Sequence, residues 1–176
     1  MKRFTYLMLG LSVVFSILLI IGFLLPSQFE ISRTVHMKTS PEKVYNYLND
    51  LRTWESWTVW NKRKDPSLTI SYSANTIGVG ASQKWQGEQI GDGELTLTES
   101  VPVEGVWFDL LLQKKTFVSK GSVTYQMIGE HELAVTWKMT GDLGDNPILR
   151  YLGLGLNRMV GKDFEENLNN LKQVVE

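Results

Sequence analysis

The apolar residues of this chain follow one period up to residue 140 and another period after it, which restricts the folds open to the chain. Between residues 68 and 140, apolar and polar residues alternate, as in antiparallel strands with one buried face. Near the C-terminus, apolar residues recur every three or four positions, at Phe164, Leu168, Leu171 and Val175. This spacing places one apolar stripe on a helix. We therefore predict that residues 142–176 form a polar turn followed by a long helix, which packs its stripe against a curved antiparallel sheet.

Turn-forming residues divide the rest of the chain into short elements. Gly, Pro and Asp between the alternating segments predict hairpin turns. The predicted strands cover residues 29–37, 68–73, 80–87, 93–100, 103–112, 117–128 and 132–140. After the first strand, Ser40 and Pro41 are typical of a helix start, and this helix is predicted to end near Asn49. The predicted fold class is α+β, with about seven strands around one long C-terminal helix.

Alternation also predicts which side chains of the sheet face the core. The predicted inward-facing residues are Trp85, Leu95, Leu97, Val123, Tyr125, Met127, Leu133, Val135, Trp137 and Met139. His36 falls on the opposite face of the first strand. Between Trp107 and Leu112 the alternation is lost, and neither face of this segment is assigned.

The N-terminal segment has the length and composition of a membrane-spanning helix. From Phe4 to Leu25 there are 22 consecutive residues without a charge, which as a helix would extend about 33 Å. This length matches the roughly 30 Å hydrocarbon core of a bilayer. A cleaved signal peptide has a shorter apolar core and a small-x-small cleavage site, and neither is present here. We therefore predict an uncleaved single-pass anchor with a short linker in residues 1–28 and a separate domain in residues 29–176.

The distribution of charge predicts an orientation and argues against one class of partner. Lys2 and Arg3 precede the apolar segment, and the next basic residue is Arg33. The positive-inside rule therefore predicts a cytoplasmic N-terminus, a cell-membrane location and an extracytoplasmic domain. Without Lys2 and Arg3, 16 of the 18 basic residues remain against 19 acidic residues. Such a slightly acidic domain lacks the basic surface that nucleic-acid binding requires.

Three tryptophans, Trp54, Trp57 and Trp60, recur at a spacing of three. One interpretation is that their indoles close one end of the sheet as part of the core. The alternative is that they form the wall of a ligand cavity or a belt at a membrane surface. The basic run 61–64 follows directly, and aromatic residues beside basic residues are typical of that surface. The sequence favours the core, since large exposed apolar patches are uncommon.

Several stretches resemble one known superfamily. They are residues 51–60 with their three tryptophans, residues 39–44 at the junction of the first strand and helix, and residues 160–172 in the last helix. Together with the order of elements, they are similar to the polyketide cyclase/dehydrase branch of the START-like, birch-pollen-allergen-like (SRPBCC) superfamily. The resemblance covers residues 29–176. It implies a helix-grip fold, in which a curved sheet wraps around the long helix and leaves an apolar cavity between them.

The resemblance implies that this cavity binds a hydrophobic small molecule or a lipid, and it leaves the chemistry open. The candidate ligand-binding residues are Arg33, Trp54, Trp57, Trp85, Tyr125, Trp137 and Met159. Inside the cavity, Arg33 would clamp a carboxylate or phosphate group. At the open end of its strand, it would instead extend its charge to water. Tyr72 and Asp109 are further candidates for orienting a ligand.

The titratable residues predict no metal site and no cofactor. The chain has two His and no Cys, which leaves little material for a metal centre or for a nucleophile paired with a base. His36 lies on the predicted outer face and His131 in a predicted turn. Neighbouring carboxylates, such as Glu165 and Glu166, fall in turns or on the polar face of the last helix and are predicted to be solvated.

Three functions are compatible with these residues. The first is a membrane-anchored, non-enzymatic binding domain for a hydrophobic small molecule or lipid. The second is an enzyme similar to a polyketide cyclase or aromatase, which would need Arg33, Tyr125 or Asp109 inside the cavity as an acid or base. The third is an interaction module of an envelope complex, in which the cavity is packed shut and Trp57 and Trp60 meet a partner. The sequence predicts neither the ligand nor the oligomeric state.

Overall fold

The computed structural model describes residues 2–112 and 117–176 of the chain. The helices are α1 (Lys2–Leu24), α2 (Pro41–Asn49), α3 (Trp54–Trp57) and α4 (Pro147–Val175), and a short 3-10 helix (Leu51–Thr53) joins α2 to α3. The strands are β1 (Gln28–Met37), β2 (Thr69–Tyr72), β3 (Ser82–Gly87), β4 (Gly91–Val101), β5 (Gly105–Leu112), β6 (Phe117–Gly129) and β7 (Glu132–Asp142). They form one antiparallel sheet in the order β1-β7-β6-β5-β4-β3-β2.

The predicted α+β helix-grip class is confirmed. Seven strands form a curved antiparallel sheet, and the second half of α4 packs an apolar stripe against it. That stripe contains the four residues whose spacing predicts it, Phe164, Leu168, Leu171 and Val175, and each is almost completely buried. Burial of an apolar side chain of this size stabilises the fold by about 1.5–3 kcal/mol. The long helix is therefore held mainly by its packing on the sheet, since Gly153, Gly155 and Gly161 weaken it as an isolated helix.

Capping side chains mark the first residues of α2 and α4. The Ser40 hydroxyl accepts a hydrogen bond from the backbone N–H of Lys43, as its position before Pro41 predicts. The last helix begins at Pro147, after the polar turn that the sequence predicts. Asp142 is the last residue of β7, and Asn146 accepts a hydrogen bond from the N–H of Ile148 as the cap of α4.

Of the ten residues predicted to face the core, nine are buried or half-buried. The tenth, Met127, is exposed. The Met127 side chain is 57% exposed. The register between β6 and β7 shifts between Met127 and Gly129, next to the hairpin. Met127 itself still pairs in register with the buried Leu133, so its exposure reflects its place at the end of the sheet and not a change of face. On β5, where the sequence assigned no face, Phe108 is buried and its neighbour Trp107 is half-buried on the opposite face.

A buried carboxylate holds the loop before β2 onto the β3–β4 turn. The Asp65 side chain accepts hydrogen bonds from the N–H and hydroxyl of Ser67 and from the N–H groups of Gln89 and Ile90. A side chain at Gly87 would overlap this carboxylate. These bonds, led by the one from the Ser67 hydroxyl, lower the pKa of Asp65 from 3.8 to about 2. The ionised form is therefore favoured in the folded protein.

We expect the stability of the domain to decrease in acid for this reason. Because the pKa of Asp65 is lower in the folded than in the unfolded chain, its contribution is complete above about pH 4 and is lost as the pH falls towards 2. An Asp65→Asn variant should unfold at lower urea concentration than the natural chain at pH 7, and the difference should shrink below pH 4. Tryptophan fluorescence during urea unfolding measures this difference.

The matched control for this pH dependence is Glu130→Gln, which alters an exposed carboxylate in the β6–β7 turn. It should leave the unfolding midpoint nearly unchanged at every pH. A constant difference between Asp65→Asn and the natural chain from pH 7 to pH 2 would contradict the role given to the ionised carboxylate.

The N-terminal helix α1 contacts the first turns of α4. Residues Tyr6–Leu24 have a mean hydropathy of 2.8. Within the described residues, this is the one helix long and apolar enough to cross a membrane, although a signal sequence has the same properties. Two side chains of α4 bind its backbone. The guanidinium of Arg150 donates to the carbonyls of Phe23 (2.9 Å) and Leu25 (3.2 Å), and the hydroxyl of Tyr151 donates to the carbonyl of Leu18 (2.6 Å).

Candidate ligand-binding cavity

A cavity of about 230 Å3 lies between the sheet and α4. Its floor consists of the buried residues Trp54, Thr58, Leu68, Leu95, Phe108, Trp137, Met139 and Phe164. Its rim consists of the half-buried residues Trp60, Ile70, Gln83, Trp85, Ile90, Leu110, Leu112, Val160 and Asp163. Such a mainly apolar and aromatic lining with a few polar groups is typical of sites for hydrophobic ligands.

The indole of Trp137 is the centre of the floor. It stacks on Phe164, with ring centroids 4.9 Å apart and planes 17° apart. Four more rings meet it edge-on at centroid distances of 5.6 to 6.3 Å, those of Trp54, Trp57, Trp60 and Phe108. Stacked and edge-on pairs are the favoured aromatic geometries, so this cluster gives the cavity a rigid wall.

Two donors in the cavity lining have no partner among the described residues. The indole N–H groups of Trp85 and Trp137 are buried and make no hydrogen bond. By contrast, the indole of Trp54 donates to the carbonyl of Leu48 (3.0 Å). Buried donors are nearly always paired, so an unpaired one is available to donate to an acceptor on a ligand. A ligand that carries a carbonyl, hydroxyl or ether oxygen would provide it.

The rim also contains a carboxylate. Asp163 accepts a hydrogen bond from the indole of Trp60 (3.3 Å) and forms an ion pair with Lys64 (3.1 Å). The pair joins α4 to the loop that follows α3. The sequence interpretation did not select Asp163, although it directly precedes Phe164, the first residue of the buried stripe. Its position next to the buried stripe could have predicted that the Asp163 side chain reaches the edge of the cavity.

Of the seven predicted site residues, the structure brings three together in the cavity lining, namely Trp54, Trp85 and Trp137. Trp57 lies behind them, fully buried against Trp54 and Trp137. Its burial agrees with the interpretation that the tryptophans close one end of the core. Tyr125 and Met159 lie elsewhere. The hydroxyl of Tyr125 donates to the carbonyl of Pro102 (2.6 Å), and burial raises its pKa to about 12. Met159 is 72% exposed on the outer face of α4.

Arg33, the seventh predicted residue, lies beside α4 and outside the cavity lining. Its guanidinium donates to the carbonyls of Asn157 (2.9 Å) and Ser32 (2.6 Å). The guanidinium occupies the space over Gly161, where a side chain on the helix would overlap it. Arg33 thus matches neither alternative, because it lies in the middle of the edge strand β1 and its guanidinium binds backbone carbonyls. The glycine is required there because the arginine crosses the helix at close range.

For the two competing functions, the cyclase and the interaction module, the predicted residues do not have the positions that each function needs. The cyclase hypothesis needs Arg33, Tyr125 or Asp109 in the cavity, and none of the three belongs to the described lining. The interaction hypothesis needs a closed cavity and exposed indoles, but Trp57 is fully buried and Trp60 lines the cavity. Among the described residues, no three His, Asp or Glu side chains are placed to hold a metal ion.

The cavity lies towards the end of the sheet at which β1 begins. Gln28 pairs with Asp142 at that end. The register across β7, β6 and β5 places Leu112, the last residue of β5, at the same end. Ile90 lies in the adjacent β3–β4 turn. Two rim residues therefore lie at the same end of the sheet as the segment that connects α1 to the domain.

The curved sheet, the long helix and the apolar cavity between them define a helix-grip protein. Residues 28–176 match the family described as polyketide cyclase / dehydrase and lipid transport, and the chain belongs to this family. The resemblance to the START-like superfamily is thereby confirmed. A search of curated proteins found no match.

Solved structures have the same fold at low sequence identity. A hypothetical protein from Helicobacter pylori is 11% identical, with a TM-score of 0.63, over 84% of this chain and 88% of its own. The di-domain ARO/CYC StfQ from the steffimycin biosynthetic pathway is 10% identical (TM-score 0.62), over 84% of this chain and 50% of its own. The protein Ara h 8.0201 is 10% identical (TM-score 0.61), over 84% and 97%. Similarity at this level establishes the fold and leaves the function to the site itself.

Proposed function

We propose that this chain is a membrane-anchored binding domain for a hydrophobic small molecule or a lipid. The observation that carries the proposal is the aromatic cavity with two unpaired indole N–H groups, those of Trp85 and Trp137. An apolar ligand body would pack against the rings around Trp137. One hydrogen-bond acceptor on the ligand would pair with an indole N–H. The family description, which includes lipid transport, supports the same class of ligand.

The size of the cavity restricts the ligand further. At about 230 Å3, the cavity is smaller than the roughly 300–1,000 Å3 of typical ligand pockets. It therefore suits a small ring system or one segment of an acyl chain, with the rest of the molecule at the half-buried rim. No Lys or Arg is among the described residues of the lining, and the lining carboxylate Asp163 is paired with Lys64 and Trp60, so these residues provide no cation for an anionic head group.

The location follows from α1 and the charges that flank it. In this proposal α1 spans the cell membrane once, as its length and mean hydropathy of 2.8 allow. Lys2 and Arg3 at its start place the N-terminus in the cytoplasm and residues 29–176 outside it. The three residues between α1 and β1 keep the domain at the membrane surface.

The first test is to identify what the natural chain carries. The full chain, purified from its own cells in lipid nanodiscs, is extracted with organic solvent, and the extract is compared by mass spectrometry with that of empty nanodiscs. We expect one class of apolar compound with an oxygen acceptor to be enriched. Conversion of that compound by the purified chain would support the cyclase alternative instead. A chain with no enriched compound, and no response of its tryptophan fluorescence to a lipid panel, would contradict the binding proposal.

A further inference from the structure

The outward face of α4 changes from apolar to polar halfway along the helix. On the first half, this face carries Ile148, Leu152 and Met159, which are 61%, 58% and 72% exposed. The same helical spacing of three and four residues continues with exposed polar residues, at Lys162, Glu166, Asn169 and Gln173. The outward face of α4 is therefore apolar in its first half and polar in its second half. The polar half is suited to water, and the apolar half is suited to a non-aqueous neighbour.

The contacts with α1 show how far from the end of α1 this apolar half of α4 lies. The hydroxyl of Tyr151 binds the carbonyl of Leu18, which lies six residues before the end of α1 at Leu24. Six residues of helix correspond to about 9 Å. Gly22 allows this approach, because a side chain there would come within 2.7 Å of the Pro147 carbonyl oxygen. The first turn of α4 thus packs beside the last two turns of a helix that has the length of a membrane span.

The charges around this half of α4 agree with the same surroundings. From residue 146 to residue 162 the chain contains no acidic residue. One of the two arginines in this segment, Arg150, has its charge at the C-terminal end of α1, where it binds two backbone carbonyls. The other, Arg158, is exposed. Basic residues near the surface of a membrane are attracted by anionic lipids.

We propose that the first half of α4 is embedded in the lipid leaflet that contains the last turns of α1, with Ile148, Leu152 and Met159 in contact with lipid. The occupant of this apolar face is the bilayer itself, because the face continues directly from the surface of α1. The inference rests on the membrane anchor of the proposed function and is independent of ligand binding. If it holds, a ligand in the leaflet would be close to the cavity. Val160, next to Met159, lines the cavity, so one turn of α4 would separate the leaflet from the cavity.

Site-specific labelling of the full chain tests this proposal, because the natural sequence has no Cys. Single variants Leu152→Cys and Met159→Cys report on the proposed lipid face, Leu11→Cys reports on α1, and Gln173→Cys is the matched control. Gln173 is on the same face of α4, about 30 Å beyond Leu152. Each variant is labelled with an environment-sensitive dye and reconstituted in phosphatidylcholine and phosphatidylglycerol vesicles. A doxyl group on the lipid acyl chain then serves as quencher, and thermal unfolding confirms that each variant is folded.

We expect the dyes at positions 11, 152 and 159 to lose most of their fluorescence to the doxyl lipid, and the dye at position 173 to lose little. Quenching at position 11 alone would keep the anchor and overturn the embedding of α4. No quenching at position 11 would overturn both the anchor and this inference. Dyes at 152 and 159 that are shielded from the doxyl lipid and also from aqueous iodide would show that a second copy or a protein covers the face, and this too would overturn it.

Discussion

Replacing Trp137 with Ala should lower the free energy of unfolding by about 3–5 kcal/mol, the range measured for large aromatic side chains removed from cores. The indole is almost fully buried and touches five other aromatic rings. Its loss would remove the stacking on Phe164 that joins β7 to α4. It would also enlarge a cavity that is already present beside it, so neighbouring side chains would have to collapse into a larger space.

The matched control for this substitution is Trp107→Ala on the neighbouring strand β5. Trp107 is half-buried on the opposite face of the sheet, away from the cavity. The same change in side chain should therefore cost about 1 kcal/mol or less. Urea unfolding, followed by circular dichroism so that the loss of a tryptophan does not alter the signal, measures both. Equal losses for Trp107→Ala and Trp137→Ala would contradict the central role of Trp137.

Filling the cavity should abolish ligand binding without unfolding the protein. Leu110 lies on the rim, and the larger side chain of a Leu110→Trp variant would occupy the 230 Å3 space beside it. We expect the affinity for an apolar probe, anthroyloxy-labelled palmitate, to fall at least about 100-fold, which corresponds to roughly 2.8 kcal/mol. Stability should change little, because the added side chain fills a void and displaces no packed neighbour.

The adjacent residue provides the control for the cavity-filling variant. Leu111 follows Leu110 on β5, so its side chain points to the outer face of the sheet. A Leu111→Trp variant has the same composition and should bind the probe like the natural chain. Energy transfer from tryptophan to the anthroyloxy group in nanodiscs measures binding, since all six natural tryptophans lie between residues 54 and 137. Equal loss of binding in both variants, or in neither, would exclude this cavity as the binding site.

The two variants also separate the two proposals. If the natural chain binds the probe and Leu110→Trp does not, the cavity is the binding site whatever the position of α4 in the leaflet. If the Leu152 and Met159 labels are in lipid but no probe binds, the membrane contact holds and the ligand class is wrong. Bound probe together with lipid contact at Met159 would place the ligand and the leaflet on adjacent faces of a single helix.

The candidate site was predictable from the sequence only in part. The spacing of Trp54 and the alternation around Trp85 and Trp137 point these side chains to the inside, and they line the cavity. The same reasoning selected Tyr125 and Met159, which lie elsewhere. Periodicity gives the face of an element that a residue occupies, but it does not say how far along that element the partner structure reaches. Met159 lies on the outer face of α4, although Arg33 of β1 contacts the helix at Asn157 and Gly161 on either side of it.

Periodicity and capping residues in the sequence by themselves determined the elements and their order. The alternation between residues 68 and 140, the Ser40 cap and the stripe through Phe164 and Val175 are local signals, because each depends on neighbours within a few residues. Their sum specifies a sheet that must cover one long helix. The apolar segment Phe4–Leu25 likewise predicts, from its own composition, a helix long enough to cross a membrane.

Only the tertiary structure decided what depends on residues far apart in the chain. Arg33 reaches over Gly161, Asp163 pairs with Lys64, and Tyr151 binds the backbone at Leu18. Each contact joins positions separated by between about a hundred and a hundred and thirty residues, a distance at which sequence periodicity carries no information. The cavity is of the same kind, because its volume is the space left between a curved sheet and a helix after both have packed.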